Sequence, residues 1–255
     1  MRIVFLSFGG GSENYTEAVN RICEQAGEFK VFDKIYKFTH VELAKIRKFW
    51  KPHKKFVEAN KRGYGYWLWK PFLISHVLTE LTDGDILFYA DAGCELNIRG
   101  RQRLLEYIDI TRREGFLAFQ MDHNLEKKWT RGDLFHFLGC DETVKNSGQC
   151  IATAMFIQKS AKSVNFIEEW YRLMCKNEYQ FITDGKSQIE NDREFVENRH
   201  DQSCFSCLAK KYNIFRLPDE TFFHPDWFSR GIQYPIWALR NNKGTSYLKI
   251  SLKLL

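Results

Sequence analysis

The chain has 255 residues, a length that suits one large α/β domain. Its hydrophobic content of 44% and aromatic content of 16% exclude an intrinsically disordered chain. The formal net charge of +6 is compatible with an anionic ligand, an anionic membrane surface or nucleic acid, so charge alone does not choose among them.

Cysteine usage and the N-terminal segment indicate a cytoplasmic protein. The seven cysteines are an odd number at irregular spacings, which favours reduced thiols. Cys204 and Cys207 form a lone CxxC pair, and no second pair completes a zinc site. The apolar run at residues 1–8 is too short for a secretory signal. The basic tail at residues 241–255 could contact a membrane peripherally or form a closing edge strand.

Strands and helices alternate along the predicted sequence. Strands are predicted at 3–8, 31–38, 86–89, 115–121, 148–157 and 214–217. Helices are predicted at 15–26, 72–81, 101–113, 163–176 and from about 201 to 211. Residues 122–133 are predicted as a loop and 184–198 as a mobile flap. The first strand, its glycines and the first helix form a nucleotide-binding type of unit, although neither GxGxxG nor GxxxxGK is present.

The strand at 86–89 runs directly into acidic and glycine residues. Asp91 follows its carboxyl end, which is the edge where open α/β sheets bind ligands. A carboxylate there can hold a hard divalent cation whose other ligands are phosphate oxygens. Asp91, Gly93 and Glu95 would share one face if the strand continued. A strand followed by an acidic turn without function explains the segment equally well.

Residues 61–71 combine aromatic rings, glycines and cations just before a predicted helix. Arg62 and Lys70 could neutralise a diphosphate while Tyr64, Tyr66 or Trp67 stacks on a base or sugar. The rings could equally belong to a helix–sheet core. Lys70 has less reason to point inward, so we favour a functional role for it.

Two later segments also carry polar groups of interest. Asp201 begins a helix, where a carboxylate can act simply as an N-terminal cap. Its neighbours His200 and Gln202 make a cluster of complementary hydrogen-bonding groups, which favours a site. His224 lies beside a proline in a predicted loop, where it could bind a metal or phosphate or be a surface imidazole.

Taken in order, these segments resemble the GT-A glycosyltransferases, in particular bacterial nucleotide-sugar transferases of polysaccharide and lipopolysaccharide assembly. The likeness is carried by RGYGYWLWKP at 62–71, YADAGCE at 89–95, WTRGD at 129–133, SGQ at 147–149 and RHDQS at 199–203. It implies a single Rossmann-like α/β domain with a mixed, mainly parallel central sheet flanked by helices. The nucleotide-binding half would span about 1–97 and the acceptor half about 98–240, before the tail.

The resemblance also implies a reaction and its site residues. A sugar would pass from a nucleoside-diphosphate sugar to a glycan or lipid-linked glycan acceptor, and a UDP-sugar is the favoured donor. Asp201 would be catalytic, and Gln149, His200 and Gln202 would contact the sugar and acceptor. The donor would be bound by Phe8, Gly9, Tyr15, Arg62, Lys70, Tyr89, Ala90, Asp91 and Gly93.

The cofactor that the resemblance implies is Mn²⁺ or Mg²⁺, bound through an Asp-x-Asp motif. That motif is degenerate here, because Asp91 matches its first carboxylate but Gly93 occupies the third position. Either Glu95, His224 and water complete the metal's ligands, or metal binding is weak. If Asp201 accepts the acceptor's proton, the anomeric carbon inverts, whereas a retaining enzyme has no such base. The sequence leaves both mechanisms open.

Two other classes of function compete with this interpretation. A non-catalytic carbohydrate or nucleic-acid binder could use the aromatic and basic segment at 45–70. A haloacid dehalogenase-type phosphatase would need an Asp-x-Asp nucleophile after the first strand, which instead ends in Ser7, Phe8 and Gly9. We therefore rank the phosphatase last and expect no nucleic-acid partner.

Overall fold

The computed structural model describes residues 1–248 of the chain. Within that range the strands are β1 Ile3–Gly9, β2 Lys34–Thr39, β3 Ile86–Ala90, β4 Glu95–Leu96, β5 Phe116–Leu125, β6 Gly148–Cys150, β7 Ala154–Gln158, β8 Phe215–Pro218 and β9 Ile236–Trp237. Seven of them form one sheet in the order β2-β1-β3-β7-β5-β6, with β8 also paired to β5. The two short strands β4 and β9 pair with each other.

Helices cover both faces of this sheet. They are α1 Glu13–Glu28, α2 His40–Lys45, α3 Arg47–Ala59, α4 Gly63–Tyr66, α5 Trp69–Leu78, α6 Arg101–Glu114, α7 Glu126–Trp129, α8 Gly132–Leu138, α9 Glu142–Lys145, α10 Ala161–Tyr179 and α11 Asp201–Lys211. Single 3₁₀ turns lie at Ile98–Gly100 and Gln180–Ile182. None of the helices in residues 1–248 is both long enough and apolar enough to cross a bilayer.

The sheet is mixed, and most of its strands share one direction. β1 pairs in parallel with β2 and β3, and β5 pairs in parallel with β8. β7 runs antiparallel to both β3 and β5, and β6 runs antiparallel to β5. Five of the seven strands that this sheet has in residues 1–248 therefore point the same way. This architecture confirms the predicted α/β domain with a mixed, mainly parallel sheet.

Alternation along the central strands divides the core into two layers. Phe5, Phe88 and Phe156 face α1 and α6, and the rings of Phe88 and Phe156 stack at 4.2 Å. Leu6 and Leu87 face the opposite layer, which α5, α10 and α11 complete. All five residues of β3 are buried because the strand lies between β1 and β7 with helices on both faces. Its carboxyl end is therefore held rigidly.

Some predicted boundaries were wrong. The predicted strand at 148–157 is two strands, β6 and β7, separated by residues 151–153. Residues 122–133, predicted as a loop, extend β5 to Leu125 and then form α7 and the start of α8. The extension is stabilised because Leu125 pairs with Gly148 across a register shift. The helix predicted at 72–81 begins earlier, at Trp69, and ends at Leu78.

A buried carboxylate ties the C-terminal segment to the sheet. Glu95 is fully buried and accepts hydrogen bonds from Ser246 Oγ at 2.6 Å and from the backbone N of Tyr247 at 2.6 Å and Leu248 at 3.1 Å. The guanidinium of Arg21 lies 3.7 Å away. Residues 249–255, which complete the predicted basic tail, lie outside the described part of the chain.

This arrangement predicts a large stability cost when Glu95 is changed. In Glu95→Gln an amide NH₂ faces several donors and Arg21 loses its counter-charge, so the free energy of unfolding should fall by about 3 kcal/mol. The exposed pair of Glu142 and Lys145, at 2.7 Å, supplies the control. Glu142→Gln should cost less than about 1 kcal/mol. Urea unfolding followed by tryptophan fluorescence compares them, and equal losses would contradict the structural role of Glu95.

Candidate active site

A cavity of about 1220 Å³ opens at the carboxyl ends of β1 and β3. Its walls come from the glycine loop after β1, from the turn before α5, from the start of α11 and from the segment that follows β8. The predicted site residues that line it are Phe8, Tyr15, Arg62, Lys70, Asp91, Gly93, His200, Asp201 and Gln202. Segments far apart in the sequence therefore meet at the sheet edge where α/β proteins bind ligands.

At the bottom of the cavity one ammonium group joins two carboxylates. Lys70 Nζ donates to Asp201 Oδ2 at 2.6 Å and to the carbonyl of Ala152 at 3.1 Å, and it lies 3.2 Å from Asp91 Oδ1. The Tyr89 hydroxyl donates to the same oxygen of Asp91. Lys70 is 2% exposed, so the expectation that it would avoid the interior was wrong. Its burial is tolerated because two carboxylates balance the charge.

The three charges set one another's protonation. Burial raises the pKa of Asp201 to about 6, and the ammonium of Lys70 opposes that rise. Burial lowers the pKa of Lys70, but the carboxylates of Asp201 and Asp91 outweigh burial and leave this pKa above its ordinary value. One ammonium cannot fully neutralise two carboxylates. Asp201 is therefore the member of the cluster that takes up a proton as the pH falls through about 6.

A chain of buried polar groups orients Gln202 at the cavity wall. Gln202 Nε2 donates to Gln149 Oε1 at 2.7 Å, and Gln149 Nε2 donates to Glu126 Oε2 at 3.1 Å. Glu126 is fully buried and pairs with Lys210 Nζ at 2.6 Å. The backbone N of Ala152 donates to Gln202 Oε1 at 3.3 Å. Gln149 thus positions Gln202 instead of reaching the cavity itself.

The aromatic turn before α5 has a strained backbone. Tyr64, Tyr66 and Trp67 have φ of 53°, 52° and 59°, which is the left-handed region that bulky side chains rarely adopt. The turn is held because Trp69 Nε1 donates to the carbonyl of Gly63 at 3.0 Å. Tyr64 and Trp67 face the cavity. Such strain is concentrated at ligand sites, where the surrounding structure imposes it.

His200 supplies an unsatisfied hydrogen-bonding atom next to this turn. It is buried, has φ of 52°, and its ring stacks on Trp67 at 5.6 Å. Nδ1 donates to the carbonyl of Ile182 at 2.8 Å, so Nε2 carries the lone pair. Within residues 1–248 Nε2 has no hydrogen-bond partner. Burial lowers the pKa of His200, which keeps the ring neutral.

Four predicted contact residues lie behind the cavity wall: Gly9, Tyr89, Ala90 and Gln149. A Cβ at Gly9 would lie 1.9 Å from the carbonyl oxygen of Tyr15, so this glycine lets α1 approach β1. The carbonyl of Ala90 accepts from Ser7 Oγ at 2.8 Å, deep in the sheet. Their positions make these residues supports for the neighbouring cavity residues.

The structure does not assemble the predicted metal ligands. Glu95 is directed to the C-terminal segment, and His224 is exposed outside the cavity, its ring beside Phe222. Within residues 1–248 no group of three or more His, Cys, Asp or Glu side chains is placed to hold an ion. Asp91, which does line the cavity, already contacts Lys70. Glu95 and His224 are therefore corrected as ligands, because neither is placed to share an ion with Asp91.

Several cavity residues were missed from the sequence: Trp69, Arg199, Asp219, Phe222, Arg230 and Arg240. Arg199 precedes His200 in a segment already recognised as polar, so its proximity to the other candidates could have identified it. The remaining members from 219 to 240 belong to irregular chain without helical or strand periodicity. Only their packing against the end of the sheet brings them to the cavity.

No family model matches the chain, and no curated protein is detectably similar to it in sequence. Solved structures are similar in fold. A glycosyltransferase involved in the glycosylation of the major capsid of PBCV-1 superposes with a TM-score of 0.51 at 10% identity, over 100% of this chain and 99% of its own. The chain has the same fold as this glycosyltransferase. This finding confirms the fold that the sequence resemblance implied.

Two further solved structures superpose less closely on this chain. Mouse xyloside xylosyltransferase 1 has a TM-score of 0.47 at 10% identity, over 93% of this chain and 97% of its own. A putative glucose-1-phosphate thymidylyltransferase from Bacillus anthracis, solved with sucrose, has a TM-score of 0.38 at 7% identity, over 85% of this chain and 87% of its own.

The raised pKa of Asp201 predicts how stability depends on pH. The folded-state value of about 6 lies above the ordinary 3.8, so the folded protein keeps this proton to higher pH than the unfolded chain does. The wild type should therefore lose stability relative to Asp201→Asn as the pH rises from about 4 to 6. The change in their difference should be up to about 3 kcal/mol. Urea unfolding of both proteins across that window measures it, and a pH-independent difference would contradict the assignment.

Proposed function

We propose that the protein is a glycosyltransferase that moves a hexosyl group from a nucleoside-diphosphate sugar to a glycan or glycolipid acceptor. The observation that supports this most is the cluster of Lys70, Asp91 and Asp201 at the bottom of a large cavity in a glycosyltransferase fold. Sugars are recognised by carboxylates that accept hydroxyl hydrogen bonds and by rings that stack on their faces. Both kinds of group line this cavity.

We assign the donor nucleotide to the wall built by the glycine loop and the aromatic turn. Phe8 and Trp69 pack with ring centroids 4.0 Å apart, and Tyr64 lies next to Phe8 at 6.1 Å. Tyr15 completes this wall and is partly exposed. Phe8 and Trp69 are buried and support the wall, whereas Tyr15 and Tyr64 are accessible. Stacking on these two accessible rings suits a uracil or another base, which supports a UDP-sugar as the first donor to test.

The transferred sugar then lies over the charged cluster. Asp91 is the more accessible carboxylate, with 27% of its side chain exposed against 7% for Asp201. Asp91, the neutral His200 and Gln202 supply hydrogen-bonding groups to sugar hydroxyls. Asp201 pairs with Lys70 and holds it in place. The negative charge of Asp201 also acts on the reacting centre. As positive charge develops at the anomeric carbon, the two carboxylates stabilise it electrostatically.

The competing proposal, a non-catalytic binder that uses residues 45–70, has less support. Phe49, His53 and Val57 of α3 are buried. His53 contacts the hydroxyl of Tyr179 at 2.8 Å, and burial lowers the pKa of His53 to about 4. The ring of His53 packs against Tyr171 and Tyr179 of α10, and the ring of Phe49 packs against Phe72 of α5, so neither forms an exposed stacking surface for a nucleic acid strand. We therefore retain the enzyme as the proposal.

A donor-hydrolysis screen tests the proposed activity. Purified protein is incubated with UDP-, GDP-, CDP- and dTDP-sugars, each with Mn²⁺ and with EDTA, and release of nucleoside diphosphate is measured. Asp91→Asn should lower turnover of the accepted donor by roughly 100-fold, because the lost carboxylate acts mainly in the transition state. Circular dichroism should show that the variant is folded, because Lys70 keeps its partner Asp201 at 2.6 Å. Asp83→Asn, an exposed carboxylate before β3, is the matched control. Near wild-type turnover by Asp91→Asn would contradict the assignment of Asp91 to the active site.

A further inference from the structure

Two arginines line the cavity without a carboxylate partner. Neither the Arg199 nor the Arg240 guanidinium lies within 4.0 Å of an Asp or Glu oxygen in residues 1–248. Two other cations of the cavity lining do have carboxylate partners: Arg62 lies 3.1 Å from Asp184 and 3.6 Å from Glu197, and Lys70 holds the central cluster. Arg199 is partly buried and Arg240 is exposed, so both charges are available to an anionic ligand in this cavity.

Each arginine is positioned by contacts of its own. The Arg199 guanidinium stacks on the Trp129 ring, 3.9 Å from its centroid, and the Arg199 backbone N donates to the carbonyl of Trp129 at 3.0 Å. Arg240 has φ of 56° and lies against Gly93, because the N of Asn241 donates to the Gly93 carbonyl at 2.8 Å. The backbone of Arg240 therefore lies beside Gly93, which is two residues after Asp91 in the sequence.

The two guanidinium groups repel one another. Burial lowers the pKa of Arg199, the charge of Glu197 opposes that change, and the charge of Arg240 adds to it. Both arginines line the same cavity, so a single ligand bound there can meet both charges. An anion between them would convert this repulsion into two charge-assisted contacts. Planar guanidinium groups bind phosphate oxygens in a bidentate fashion, which makes phosphate the fitting ligand.

We propose that Arg199 and Arg240 form a clamp for the diphosphate of the donor, so that protein cations and not a divalent ion neutralise the leaving group. This inference rests on the proposed function, because it specifies how that donor is held. It also explains the absence of a fitting metal-ligand set among the described residues around Asp91. The bond from the anomeric carbon to the diphosphate oxygen breaks as the acceptor oxygen bonds to that carbon, and the proton of the acceptor hydroxyl passes to a carboxylate of the cavity. The clamp receives the negative charge that the diphosphate gains.

The clamp is tested by isothermal titration calorimetry with UDP, GDP, CDP and dTDP, and with the corresponding nucleosides, in EDTA and in Mn²⁺. The wild type should bind a nucleoside diphosphate in EDTA, with less than about a threefold gain from Mn²⁺. Arg199→Gln and Arg240→Gln should each weaken diphosphate binding by roughly tenfold or more and leave nucleoside binding within about twofold. Arg113→Gln, at an exposed position on α6, controls for the loss of one positive charge. Circular dichroism of each variant reports its folding.

The outcomes separate the clamp from the function on which it rests. Diphosphate binding that appears only with Mn²⁺, or that is unchanged in both clamp variants, would overturn the clamp and leave a glycosyltransferase that uses other groups. A wild type that binds none of UDP, GDP, CDP and dTDP under either condition would overturn the proposed function and the clamp together. Loss of nucleoside binding in parallel with diphosphate binding would also contradict the clamp, because the arginines would then act on the base or ribose or on the fold.

Discussion

The ion pairs of Lys70 with Asp91 and Asp201 are the interaction on which the candidate site depends. They join α5, the end of β3 and the start of α11, three elements that the sequence separates by up to 131 residues. Removing the ammonium would leave two carboxylates facing each other in a largely buried place, which costs far more than the loss of a surface pair. The same contact that holds the fold closed at this edge thus sets the charge of the cavity.

A second buried cation supports the same turn from behind. Arg21 of α1 donates to the carbonyls of Ala92 and Cys94, each at 2.9 Å, and lies near Glu95. Lys70 therefore holds Asp91 on the cavity side while Arg21 holds residues 92–95 on the other. Since Glu95 and Arg21 also bind the segment at 241–248, the C-terminal part of the chain is drawn across Gly93. This course of the chain places Arg240 at the cavity.

The sequence predicted the features that depend on local pattern. A short buried run bounded by glycines predicted β3, and the polar residues after it placed Asp91 at a ligand-binding edge. The prediction that Glu95 lies on the same face as Asp91 was wrong because the chain turns directly after β3, where the N of Cys94 donates to the carbonyl of Asp91 at 2.9 Å. Strand parity therefore does not continue from Asp91 to Glu95. The burial of Lys70 was equally hidden, since its partner Asp201 lies on a distant helix.

Short helices and irregular segments were also difficult to predict from the sequence. The α7 helix has four residues and α8 seven, lengths at which one apolar face cannot be recognised against the background of a polar sequence. The segment from 184 to 198, expected to be a mobile flap, is irregular, yet the buried pair of Arg131 and Asp133 anchors its beginning. Arg131 donates to the carbonyl of Lys186 at 3.0 Å, and Asp133 accepts from the N of Gln188 at 3.3 Å. Such anchors come from tertiary contacts alone.

The charges of the cavity also constrain how a donor could lie in it. On the proposed function, the cluster of two carboxylates and one ammonium has a net negative charge when both carboxylates are ionised, so it repels a diphosphate and favours sugar hydroxyls and a developing positive charge. Arg199 and Arg240, which lack carboxylate partners in residues 1–248, favour the opposite end of the donor. If a nucleotide sugar contacts the carboxylates through its sugar and the arginines through its diphosphate, its anomeric carbon lies between the two groups of charges. Bond breakage there moves positive charge toward Asp91 and Asp201 and negative charge toward the arginines, so one fixed arrangement of charges stabilises both changes.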